Sequence, residues 1–145
     1  MAKQLNFSLA GIKGKNFIPG IAWFLFVLML VCIPGEDLPA TPYLDMISFD
    51  KFVHAVLFGG IVFFFCMAFK KAEIGRQEKL VFFIKITLAT CVWGITTELI
   101  QRFFIPGRQF DMFDWAADSL GAVVAFFVCI PLFAKNYKHR FVAEK

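Results

Sequence analysis

The sequence predicts an all-α integral membrane protein, a four-transmembrane-helix bundle with both termini cytoplasmic. Three observations lead there. Hydrophobic residues make up 59% of the 145 positions and charged residues only 18%, with 21 Phe; soluble domains carry roughly 45–50% and about 25%. The apolar residues gather in four runs, at 17–33, 52–69, 80–105 and 115–134. Basic residues gather in alternate segments between those runs. This composition excludes a disordered chain, which would carry more charge and less aromatic bulk. It also excludes a soluble enzyme of this size, which would need more polar surface over its core. A single domain over 1–145 is expected, since no internal repeat or low-complexity tract is visible.

Each run is long enough to span a membrane, because a helix needs about 20 residues, with a range of about 17–25, to cross a hydrocarbon core of ~30 Å. Helices satisfy their own backbone groups in lipid, and the alternating short strands of a barrel are missing. The first run ends at Pro34-Gly35. It lacks a small-x-small cleavage site, and Met29-Leu30-Val31 before Cys32 fails as a lipoprotein box because Val stands where a small residue is needed, so a retained helix is expected. The third run holds Lys85 near its basic end, from where a long side chain snorkels to the interface. The fourth contains Gly121-x-x-x-Ala125, a small-xxx-small pattern for close helix packing. The four cysteines, Cys32, Cys66, Cys91 and Cys129, fall inside apolar stretches without a CxxC pair and read as small core-packing thiols.

Orientation follows from the basic residues. Lys3, Lys13 and Lys15 lie in the N-terminal arm, Lys70, Lys71, Arg76 and Lys79 after the second run, and Lys135, Lys138, Arg140 and Lys145 in the tail. The other two loops carry Glu36, Asp37, Asp45 and Asp50, then Arg108, Asp111 and Asp114. The positive-inside rule puts both termini and the middle loop in the cytoplasm and segments 34–50 and 106–114 outside. The net charge of +4 is thereby read as topology rather than as a nucleic-acid surface, and no nucleic-acid partner is expected.

Ionisable groups within membrane spans cost about 2.5–3.5 kcal/mol each on insertion scales, so the polar residues at the outer ends carry the functional question. Asp50 and Lys51 precede His54 on the second helix; Glu98 and Gln101 lie near the end of the third; Asp111, Asp114 and Asp118 lead into the fourth, after Arg108 in the Pro106-Gly107-Arg108 turn. The spacings i, i+4 (Asp50, His54), i, i+3 (Glu98, Gln101) and i, i+3, i+7 (Asp111, Asp114, Asp118) put each set on one helical face. At ~1.5 Å per residue, His54, Glu98 and Asp118 fall within roughly 10 Å of the outer surface. Singly, each has a bland explanation: His54 as a packing histidine, Glu98 as an i, i+4 partner of Arg102, Arg108 as a headgroup-facing loop cation, and Trp93 and Trp115 as lipid-facing or core bulk. Together at one depth they predict a polar pocket opening to the outer side.

A histidine beside carboxylates suits general-base or nucleophilic work. His54, Glu98 and Asp118 are therefore the candidate catalytic residues, with His54 as base or nucleophile and Glu98 as its orienter or the acid. Arg108 and Lys51 supply positive charge suited to phosphate. Asp50, Gln101, Asp111 and Asp114 complete the candidate substrate-binding set. No organic cofactor is expected; Asp111, Asp114 and Asp118 could hold a divalent cation through oxygen ligands, although DxxDxxxD is not a diagnostic loop. The fitting partner for an outward pocket at headgroup depth is a membrane lipid or a polyprenyl-phosphate-linked saccharide. Oligomeric state is left open.

The ordered set Asp50-Lys51-x-x-His54-x-x-x-Phe58, Glu98-x-x-Gln101 and Gly107-Arg108-x-x-Asp111-x-x-Asp114-x-x-x-Asp118-x-x-Gly121 resembles the VanZ-like family of small bacterial membrane proteins over roughly residues 20–135. The family is named for a member linked to teicoplanin resistance. The resemblance implies a multi-pass protein of the bacterial cytoplasmic membrane that acts on lipid or lipid-linked glycan headgroups of the cell envelope, by hydrolysis or headgroup transfer, with an effect on glycopeptide susceptibility. It assigns the polar roles to Asp50, Lys51, His54, Glu98, Gln101, Arg108, Asp111 and Asp114. At Asp118 the family usually has Asn, so this chain adds a buried acid that demands a proton, a cation or Arg108. Two other classes of function stand beside this one: a non-catalytic binder of envelope lipid or glycopeptide, and a small transporter, which would need polar residues along the whole length of its spans.

Overall fold

The computed structural model describes residues 12–34 and 49–135. Four helices fill them: α1 over Ile18–Val31, preceded by a 3-10 turn at Gly14–Phe17, α2 over Phe49–Met67, α3 over Arg76–Phe104 and α4 over Met112–Phe133. No strand occurs among the described residues. All four helices, α1 counted with its 3-10 turn, are long and apolar enough to cross a membrane. The acids Glu36, Asp37 and Asp45 and the bases Lys3, Lys138, Arg140 and Lys145 lie outside the described residues.

Helix ends differ from the apolar runs by a few residues, and the reason is capping. α3 begins at Arg76, four residues before its apolar run, because the Glu78 carboxylate accepts the Gly75 N–H at 2.9 Å and closes the first turn. α4 begins at Met112 because Asp111 caps it, its Oδ1 accepting the Phe113 N–H at 2.7 Å. α2 begins at Phe49, so Asp50 and Lys51 are in its first turn. The α3–α4 connection is a tight turn in which the Arg108 N–H donates to the Ile105 carbonyl at 3.3 Å. Gly107 sits there at φ 72° after Pro106, as a type II turn requires.

α2 and α4 form the closest pair. A Cβ on Gly121 would run into the Ala55 carbonyl, and a Cβ on Gly59 would come within 3.0 Å of the Gly121 carbonyl. The two backbones touch there, with Ala125 one turn further along α4. α3 packs on α4 and on α2, and its buried residues Phe83, Thr87, Thr90, Gly94, Thr97, Glu98 and Gln101 recur at spacings of three and four that keep them on one face. α1 packs chiefly on α2: the Trp23 indole lies over Gly60 and donates to the Leu57 carbonyl at 2.9 Å, and Gly20 seats the Phe65 ring.

The core lies between these faces, with Val62, Cys66, Phe69, Phe83, Ala122, Cys129 and Phe133 in one cluster and Val27, Val31, Phe58 and Ile61 in another. Cys66 and Cys129 are core thiols as expected and Cys91 is half-buried, but Cys32, at the C-cap of α1, is exposed. Leu25, Phe26, Leu88, Val92, Leu120 and Phe127 are all exposed, so the outer surface of the bundle is apolar. Lys85 is also exposed. Lys79 is not: only 2% of it is exposed, and its ammonium donates to the Lys135 carbonyl at 3.4 Å, just past the end of α4, where helix carbonyls lack internal partners.

Gly121→Ala is expected to force α2 and α4 apart and to lower stability by about 1–3 kcal/mol, the usual cost of overpacking. Gly14→Ala, with nothing within 4 Å of the added Cβ, should change little. Thermal unfolding of both variants in the same detergent compares them.

Candidate functional site

At one end of the bundle α2 and α4 begin and α1 and α3 finish, and the polar residues singled out from the sequence meet there. His54 extends from the second turn of α2 towards α4, where its Nδ1 lies 2.9 Å from Asp118 Oδ1. Asp118 is 0% exposed and Glu98 1%. Ligand-capable atoms of His54, Glu98 and Asp118 all lie within 4.8 Å of one another, so three helices each deliver one titratable group to a single point. Gly94 makes room for this: a Cβ there would come within 3.2 Å of the Asp118 carboxylate.

With Nδ1–H donating to Asp118, the histidine is fixed in one tautomer and its Nε2 is left facing Asp114 Oδ2 at 3.9 Å. The orienting acid is thus Asp118. Glu98, the expected orienter, instead accepts the Asp111 N–H on Oε2 at 2.9 Å and ties the end of α3 to the start of α4. Nor does it clasp Arg102, which is exposed with its guanidinium 5.7 Å from the Phe103 ring centroid.

Lys51 sits above this centre with three carboxylates around its ammonium: Asp114 at 2.7 Å, Asp111 at 3.2 Å and Asp50 at 3.3 Å. The charge expected to share a phosphate with Arg108 is therefore already taken up by the protein, because the α2 first turn lies directly against the α4 N-terminus. Asp111 and Asp114 are likewise held by Lys51, so the Asp111, Asp114 and Asp118 set expected as cation ligands does not act together; only Asp118 points into the buried centre. The Phe113 N–H, and after it Lys51, hold the Asp111 carboxyl below the ordinary carboxylate range.

A cavity of about 240 Å³ opens beside His54. Leu30, Val31, Ile33, Val53, Leu57 and Phe58 give it apolar walls, and Asp50, His54, Gln101 and Arg108 its polar end. Gln101 is fixed by donating to the Val31 carbonyl at 3.4 Å, one of the last carbonyls of α1. Arg108 makes no ion pair among the described residues, and its Nε is buried without a hydrogen-bond partner. It is the cation of the site free to meet an anion.

The side-chain pattern left several contributors unmarked. Phe58 stood in the quoted pattern, and its neighbours on the wall follow the same α2 face at Val53 and Leu57. The Val31 carbonyl and the hollow at Gly94 carry no side-chain signal of their own. Trp115, expected as bulk, is an anchor: its indole N–H donates to the Cys91 carbonyl at 3.1 Å and fixes α4 against α3 one turn from Asp118.

Comparison of the chain with protein-family models, curated proteins and solved structures gives no match.

Asp111→Ala removes the α4 cap and should lower stability by about 0.5–2 kcal/mol, whereas Asp111→Asn keeps an acceptor for the Phe113 N–H and should lose less. Because folding lowers the Asp111 pKa, its contribution is complete above the unfolded value of about 3.9 and disappears as pH falls through the lower folded value. The stability gap between wild type and Asp111→Ala should therefore be constant from pH 7 to about 5 and narrow in stronger acid, as measured by thermal unfolding across pH.

Proposed function

We propose that the protein is a VanZ-like, multi-pass protein of the bacterial cytoplasmic membrane that acts on a phosphate-bearing lipid or lipid-linked glycan headgroup, by hydrolysis or headgroup transfer. The observation that carries this reading is the meeting of His54, Glu98 and Asp118 beside a cavity with apolar walls and a free arginine. An amphipathic molecule matches both parts: its chain lies along Leu30, Val53, Leu57 and Phe58, and its phosphate meets Arg108. Four apolar helices with an apolar exterior support membrane insertion. Lys15, Lys70, Lys71, Arg76 and Lys135 occupy the end opposite the site, which by the positive-inside rule turns the cavity to the extracytoplasmic side. An effect on teicoplanin susceptibility belongs to the same reading.

Chemically, His54 Nε2 takes a proton from the attacking water or acceptor hydroxyl while Asp118 stabilises the imidazolium that forms. The new oxygen–phosphorus bond forms as the bond to the leaving alcohol breaks, and that alcohol leaves with a proton returned by the imidazolium. Gln101 and the Asp50 side of the cavity position the headgroup. A second reading, a lipid binder that breaks no bond, is favoured by the predominance of apolar residues in the cavity wall.

Purified protein incubated with bacterial envelope lipids and analysed by mass spectrometry separates the two. The catalytic reading expects a headgroup-altered lipid, with the rate falling about 10²–10⁴-fold in His54→Ala and markedly in Glu98→Gln. Lipid that co-purifies while no product forms supports the binder. Full activity in both variants, each folded by circular dichroism, overturns the catalytic assignment.

A further inference from the structure

The site holds more negative charge than its own cations answer. Asp50, Glu98, Asp111, Asp114 and Asp118 face Lys51 and Arg108, and Lys51 is occupied by the three outer acids. Glu98 and Asp118 are left at the centre with His54 as their neighbour. One oxygen of each, Glu98 Oε1 and Asp118 Oδ2, is buried with no hydrogen-bond partner among the described residues. A buried carboxylate without a partner is strongly disfavoured, and a bound cation is one of the few things that repairs it.

From this we propose that His54, Glu98 and Asp118 form a divalent transition-metal site, selective for Zn²⁺-like ions over Ca²⁺. One imidazole nitrogen and two carboxylate oxygens are the donor set that such an ion prefers, and an imidazole ligand disfavours the all-oxygen ions. The donors sit within 4.8 Å of one another on three helices, so small rotations of three side chains bring them to bonding distance. Coordination through Nδ1 replaces its contact with Asp118 and moves the ring proton to Nε2, which faces Asp114 Oδ2; Asp114 then becomes the outer carboxylate that orients a metal-bound histidine. Three protein ligands would leave a coordination position open, as catalytic rather than structural ions require, and His54 is the one of the three that also lines the cavity. The inference rests on the buried cluster alone. It also bears on the proposed chemistry: an ion held there would offset the acidic centre for an approaching phosphate and would supply an activated water, with His54 then a ligand in place of the base described above.

The test uses untagged full-length protein in neutral-lipid nanodiscs, stripped with chelator and titrated with ZnCl2 or CaCl2 by calorimetry, with bound metal counted after desalting. Wild type should bind about one Zn²⁺ per chain, with Ca²⁺ at least tenfold weaker, and its melting temperature should rise on loading. His54→Ala, Glu98→Gln and Asp118→Asn should each weaken Zn²⁺ binding at least tenfold, while Asp50→Asn and His139→Asn, which alter the outermost acid and the other histidine, should not. Near-isosteric Glu98→Gln and Asp118→Asn protect the result against misfolding, which circular dichroism checks directly. Absence of stoichiometric Zn²⁺ in wild type overturns the site and leaves a shared proton as the answer to the two acids. Equal binding in all variants overturns it as well. Neither result depends on a lipid product, so the metal site and the headgroup chemistry fail separately.

Discussion

A carboxylate with no exposed surface dictates the arrangement around it. Asp118 sits six residues into α4, inside a bundle whose exterior is apolar, and every neighbouring helix is positioned to answer it. α2 brings His54 to 2.9 Å; α3 yields space at Gly94 and supplies Glu98 alongside. The backbone contact between Gly121 and Ala55, one turn below, makes that approach close enough for a hydrogen bond. Buried polar groups are costly when half-satisfied and rigidifying when satisfied, so the α2–α4 crossing and the His54–Asp118 contact support each other.

Around that centre the charges are sorted by depth. Lys51 gathers the exposed and half-buried acids at the surface, while Glu98 and Asp118 stay beneath. The Asp111 backbone N–H and side chain belong to both layers: the first donates to Glu98, and the second caps α4 and meets Lys51. One residue thus couples the loop after α3 to the buried pair.

Much of this was legible in the sequence because the signals were strong and local. Runs of apolar residues marked four helices, and spacings of three and four marked which acids share a face. Depth arithmetic placed His54, Glu98 and Asp118 on one level, which is where they meet. Partner choice was not legible. A helical spacing says that Glu98 can reach Arg102, but it cannot say that the next turn of chain will offer the Asp111 N–H instead. Nor can it say that Lys51 will be surrounded, since two of its three partners, Asp111 and Asp114, lie 60 and 63 residues away. Helix starts were read late at Arg76 and Met112 because hydropathy reports where a segment is oily, whereas a helix starts where its first N–H groups find acceptors. The buried Lys79 was misleading for a related reason: a cation in a basic loop looks solvated until a helix C-terminus is placed beside it.

No gap separates the backbones of α2 and α4 at Gly121, so neither helix has room to shift towards the other there. α1 is held differently, by the Trp23 indole, aromatic packing and the long bond from Gln101 to the Val31 carbonyl. A guest wedging itself in next to His54 therefore pushes α1 aside. The wall yields while the histidine and its acids keep their spacing.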